Sequence, residues 1–164
     1  NYKPNPISLS LKQSQSMFIG VIVPEFVNSF FSEVIMGIQS VLNPEGYHVL
    51  IMQSNESHEN ELRNMKALEA QMVDGFLISV TQESENTSYF SDLIWNNFPV
   101  VFFNRICAEL SAPHVVIDDY KWAFAAVEHL IQQGCRRIVH LAGSEDLLIA
   151  QKRKNGYMLS LIHI

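Results

Sequence analysis

Four short clusters of polar and aromatic residues each follow directly on an apolar run, and their side chains suit a hydroxyl-rich small molecule. Pro24, Glu25, Phe26, Asn28 and Phe30 follow the run 18–23, and Asn104 with Arg105 follows 100–103. Asp118 and Asp119 follow 115–117, and Gly143 and Ser144 follow 138–141. Arginine offers a planar fork of donors, Asp and Asn accept, and a Phe ring packs against the face of a sugar or base. Two readings stay open at this point. Phe30 and Phe31 suit a core as well as a site, and Asp118 suits the N-cap of a helix over 120–133.

Catalysis is not written into these clusters. The chain has no GxSxG, no HExxH, no GxxxxGK[ST] and no GxGxxG after a strand. Its six histidines show no ligand spacing, and Cys107 and Cys135 form no CxxC pair, so they read as reduced thiols of a cytoplasmic protein. A binding module without metal or cofactor is expected rather than an enzyme, which would need an acid, base or nucleophile cluster.

The elements that must position these clusters are legible as a repeat. Apolar runs recur at 18–23, 49–52, 76–80, 100–103, 115–117 and 138–141, nearly continuous rather than alternating, as in strands buried on both faces of a parallel sheet. Helical stripes lie between several of them. Phe30, Phe31, Val34, Ile35, Ile38, Val41 and Leu42 form one, Leu62, Met65, Leu68 and Met72 a second, and Phe124, Val127, Leu130 and Ile131 a third. Acids such as Glu59 and Glu61 are expected on other faces of the second helix. The pattern predicts an α/β fold with a doubly wound parallel sheet and right-handed crossovers. Ligands of such sheets bind beyond the carboxyl ends of the strands, where the four clusters fall.

The ends of the chain read differently. With 164 residues, 48% of them hydrophobic, the chain can bury a core, and its net charge of −6 argues against a nucleic-acid surface over most of its length. Residues 1–16 hold Lys3 and Lys12 and no acid, so removing their +2 from −6 leaves −8 for the rest. Within NYKPNPISLSLK, Asn5 suits an N-cap and Pro6 the first helical position. Two copies of this short helix could pair through Ile7 and Leu11, presenting Leu11 as a wedge for a DNA minor groove. No apolar run approaches the ~18 residues of a membrane span.

The succession NYKPNPISLSLK, IGVIVPEFVNSFFSEVIMGIQ, GYHVLI, VDGFLIS, PVVFFNR, VVIDD, AVEHLIQQGCRRIVHLAG and RKNGY resembles the lactose and galactose repressor (LacI/GalR) family of bacterial transcription regulators. The resemblance implies a periplasmic-binding-protein-like (type I) effector domain of two lobes, with a hinge helix that folds on operator DNA. Residues 1–16 would be that hinge and linker, 17–119 the N-terminal lobe and 120–158 the start of the C-terminal lobe. A helix-turn-helix would lie upstream. Residues 159–164, LSLIHI, spell the translation of a transposase mosaic end used in sequencing libraries, and are expected to be adapter read-through.

By resemblance, Leu11 matches the leucine inserted into the operator and Ile7 its hinge partner, beside Lys12. Asn28 and Phe30 fall in the stretch PEFVNSFF that lines the effector cleft, as does Glu25. Arg105 matches the Arg of the usual Asp-Arg pair, whose Asp is Asn104 here. Asp118 matches the Asp of a VDN motif, and Arg153 the effector-contacting Arg of RxxG[FY]. The expected protein is a homodimeric, cytoplasmic repressor-type regulator whose effector, a carbohydrate, changes operator affinity through the hinge. The alternative is a periplasmic sugar-binding protein of a transport system.

Overall fold

The computed structural model describes residues 15–27, 29–82 and 84–163. Strands and helices alternate as far as β4, and β5 follows it directly: β1 (Phe18–Val23), α1 (Ser29–Leu42), β2 (His48–Gln53), α2 (His58–Ala70), β3 (Gly75–Ile78), α3 (Thr87–Trp95), β4 (Val100–Phe103) and β5 (His114–Val115). Helices α4 (Asp119–Gln132) and α5 (Leu148–Ser160) follow, and a 3₁₀ turn (Leu161–His163) continues directly from α5 through the segment read as adapter-derived. The strands form one parallel sheet in the order β2-β1-β3-β4-β5. The order reverses between β1 and β3, where ligands of doubly wound sheets bind.

The continuous apolar character of β1 has a direct cause, since both of its faces are covered. Ile22 points into a core with Met65 and Leu68 of α2, Phe90 and Leu93 of α3, and Phe76, Ile78 and Phe102 of the sheet. Its neighbours Val21 and Val23 point the other way, into a second core with Phe31 and Ile35 of α1 and with Phe103. Successive side chains of a strand face opposite sides, so a strand sandwiched between helices must be apolar at every position. The sheet's edges need less. β2 is only half-buried and the two residues of β5 are exposed.

Helix starts and stops follow local chemistry. Ser57 caps α2 by accepting from the Asn60 N–H, and Asp118 caps α4 by accepting from the Lys121 N–H. The chain leads into the sheet through a clamp: the N–H groups of Ser16 and Met17 donate to the Asp74 carboxylate at 2.7 and 2.9 Å.

Several expectations are corrected. The run 138–141 is not a strand, because among the described residues the single sheet offers it no neighbour; Val139 and Leu141 are 83% and 93% exposed. The fifth strand is two residues long and starts at His114 rather than Val115. Helix α3 was not expected, and the second helical stripe contains Glu61, which is fully buried rather than on an outer face. Met72, placed on that stripe, lies beyond the helix with φ 55° and is exposed.

Candidate functional site

A cleft of about 460 Å³ opens at the carboxyl end of the sheet, between the β1–α1 and β4–β5 loops and helix α5. Glu25 and Phe30 line it from the first loop, Asn104 and Arg105 from the second, and Arg153 from α5, with His140 and Leu141 closing one side. A second chamber of about 360 Å³ shares Asn104 and Arg105 with it and extends past Thr81, Ser84, Cys107 and Lys152. Five of the expected effector-binding residues therefore meet in one place. Asn28, Ile7, Leu11 and Lys12 lie outside the described residues.

Phe30 resolves one open reading. It is 46% exposed and stacks edge-on against the buried Phe31, at 5.1 Å between ring centroids. Phe31 is the core residue, and Phe30 presents its ring to the cleft on a rigid base. Asp118 resolves the other. Its exposed side chain is used as the α4 cap and lies outside both chamber linings, so the capping reading holds. The residue beside it does face the site. Asp119 is buried, lines the second chamber and accepts from Arg153 Nε at 2.8 Å.

Arg105 is fixed from two directions. Its carbonyl accepts from the Val80 N–H, and its Nη1 lies 2.7 and 2.9 Å from the two oxygens of Glu56. Asn104, just before it, adopts φ 58°, the left-handed conformation that asparagine tolerates better than most residues, and so turns the chain out of β4. Glu56 also accepts from the Gln82 N–H at 2.9 Å, tying the β2–α2 loop to the β3–α3 loop.

The β3–α3 loop is organised from below by Glu61. This carboxylate accepts from the Thr81 N–H at 2.8 Å, the Ser84 hydroxyl at 2.6 Å and Asn86 Nδ2 at 2.8 Å. A buried charge is tolerable when its lone pairs are met in this way. Cys107, half-buried in the second chamber, has its thiol pushed up to about 11 by burial and by the nearby Glu61 and Glu109 carboxylates. It is an uncharged lining group at neutral pH.

Sequence reasoning placed Asp119 in a strand-end cluster without its ion pair, and missed Glu56 and Glu61 as determinants of this site. Glu61 carried a signal, since it sits four residues before Met65 and seven before Leu68, on the apolar stripe itself. Glu56 carried none: its role depends on a contact 49 residues away. Among the described residues no group of three or more His, Cys, Asp or Glu is placed to hold a metal ion.

The sequence that builds this site matches a known family over residues 16–163, described as periplasmic binding proteins and the sugar-binding domain of the LacI family. The chain belongs to this family. Among its relatives, the HTH-type transcriptional repressor CytR of Escherichia coli is 33% identical over 160 residues, covering 98% of this chain and 46% of that protein. A ribose operon repressor of Halalkalibacterium halodurans is 30% identical over 159 residues, covering 96% and 46%. This LacI-family chain thus spans about half the length of the curated relatives it matches. In three dimensions it is similar to a candidate ribose operon repressor from Burkholderia thailandensis, with a TM-score of 0.83 and 28% identity over 91% of this chain and 56% of that one.

Proposed function

We propose that this chain is the effector-sensing part of a bacterial transcriptional regulator of repressor type, in which a small sugar in the cleft changes operator affinity. The observation that carries this reading is the convergence of Phe30, Asn104, Arg105 and Arg153 on one cleft at the switch in strand order, in a chain whose named relatives are transcriptional repressors. An aromatic face beside amide and guanidinium donors recognises a sugar ring and its hydroxyls without any acid–base step. The proposed protein is not an enzyme and takes no cofactor.

In this reading residues 1–16, with Ile7, Leu11 and Lys12, are the hinge that meets the operator's minor groove. Residues 17–119 form the first lobe, 120–158 begin the second, and 159–164 are adapter read-through. The protein works in the cytoplasm as a homodimer, and effector closure between lobes would be coupled to the hinge as a reciprocal free energy between two sites. The Asp74 clamp on Ser16 and Met17 gives that coupling a defined point of departure.

The test begins with sequencing the source locus on both sides of this stretch. The expected product is a longer regulator with an upstream helix-turn-helix, whose affinity for its own promoter DNA, measured by fluorescence anisotropy, shifts when a sugar such as D-ribose is added. A secretory signal upstream and no DNA binding would instead identify an exported sugar-binding protein. A reading frame that continues through LSLIHI would overturn the read-through assignment.

A further inference from the structure

Two arginines line the cleft, and each is already matched by a carboxylate. Arg105 Nη1 spans both oxygens of Glu56, and Arg153 Nε donates to Asp119. The Asp119 side chain is 6% exposed, so moving Arg153 onto a ligand anion would strand a buried carboxylate without a partner. Glu56 is more open, at 36% of its side chain, but it is held from a second side by the Gln82 N–H. Asn55 and Glu56 both adopt left-handed backbone, φ 55° and 56°, a conformation that costs a non-glycine residue and is retained where the surrounding contacts demand it. Here the contact that accompanies it is the one to Arg105.

The surroundings reinforce this neutralisation. Glu25 lines the same chamber as the two arginines. In the adjoining chamber Glu109, Asp119 and Asp146 lie with Lys152. Across the two chambers together, Glu25, Glu109, Asp119 and Asp146 stand with Arg105, Lys152 and Arg153. A phosphate dianion would therefore meet two arginines whose charge is already matched by Glu56 and Asp119. Hydroxyl groups would not be penalised in the same way, because the Glu56 contact uses only Nη1 of Arg105, and a guanidinium has further donors with fixed directions.

We propose that Glu56 is a specificity-determining residue: by neutralising Arg105, as Asp119 neutralises Arg153, it fits the cleft to an uncharged sugar and turns away the phosphate ester of that sugar. This inference rests on the sugar-sensing reading of the cleft and names the ligand class within it. Glu56 acts through Arg105, and nothing in the proposal requires it to touch the ligand.

The test uses the full-length regulator recovered from its locus. D-ribose, D-xylulose and D-fructose are titrated calorimetrically beside their phosphate monoesters, with inorganic phosphate as a further probe, at fixed ionic strength. The wild-type protein is expected to bind at least one free sugar about tenfold or more tightly than its ester. Glu56→Gln, which keeps the shape and removes the charge, is expected to narrow that ratio by gaining affinity for the ester and for phosphate; Glu56→Asp, which keeps the charge, is expected to preserve it. An ester bound as tightly as the free sugar by the wild-type protein would overturn the proposal while leaving the sugar reading intact. An unchanged ratio in a folded Glu56→Gln protein would remove Glu56 from the role. Binding of no sugar and no ester would overturn both this inference and the sugar reading beneath it. The wild-type ratio decides the ligand class even if the variant does not fold.

Discussion

Glu61 shows how much a single buried carboxylate can organise. It serves three donors on the β3–α3 loop, so Glu61→Ala would leave the Thr81 N–H and the Asn86 amide short of an acceptor inside the protein. We expect it to cost about 3 kcal/mol of stability in urea denaturation, with Glu61→Gln costing less because one acceptor oxygen remains. Arg153 is half-exposed, so its pair with Asp119 is worth less than a fully buried one. Arg153→Ala should cost about 1–2 kcal/mol, and Asp119→Asn in the same chain should cost little more, the coupling being read from a double-mutant cycle. At Cys107 the thiol is raised from its ordinary 9.0 to about 11. A raised thiol contributes stability that is fully present below pH 9.0 and is lost as pH climbs through about 11. Iodoacetamide at pH 8 should therefore label the exposed Cys135 well before Cys107, with mass spectrometry of the peptides giving the order.

The elements fit together at two glycines that tolerate no side chain. A Cβ on Gly156 of α5 would lie 2.4 Å from the Tyr120 carbonyl oxygen and 3.0 Å from the Phe124 nitrogen of α4, both backbone atoms. Gly156→Ala gains about 1 kcal/mol in helix propensity, yet the two helices would have to separate, at about 1–3 kcal/mol or more. Because Arg153 lies one turn before Gly156 and Asp119 opens α4, that separation should also break their ion pair. We expect a lower Tm together with loss of the proposed sugar binding. Gly20→Ala in β1 would meet Phe76 and Leu68 side-chain atoms at 2.8 and 2.9 Å, overpacking the sheet instead. It should lower Tm with no direct effect on the cleft residues. The strands were legible because burial on both faces forces continuous apolar runs, whereas the nine-residue α3 buries only Phe90 and Leu93 and leaves too short a period to read.

At the scale of the whole molecule, the sheet and the α4–α5 pair are unequally secured. The sheet is enclosed by two cores, while α4 and α5 pack chiefly on each other and bury few of their own residues. Hydrogen exchange of the polypeptide should leave β1, β3 and β4 amides protected longest and release those of α4 and α5 first. Exposed Val115, Ile117, Trp122, Val139 and Leu141 all belong to the segment that follows β4, where large apolar side chains face solvent. Residues 15–163 on their own should bind the dye ANS strongly, and a longer chain carrying a covering lobe should bind it weakly. Among the described residues no helix is long and apolar enough to cross a membrane.

What the sequence determined by itself was whatever depends on local period and composition: the βα repeat, the doubly wound sheet, and the rule that strand-end residues such as Glu25, Phe30, Asn104 and Arg105 share a site. These follow because burial imposes its pattern on every residue of a strand or helix face. Tertiary structure alone decided which charges meet. Glu56 reaches Arg105 across 49 positions and Asp119 reaches Arg153 across 34. Ion pairs and hydrogen bonds depend on distances of a few ångströms between elements, and those distances are set by packing, which no one-dimensional pattern records.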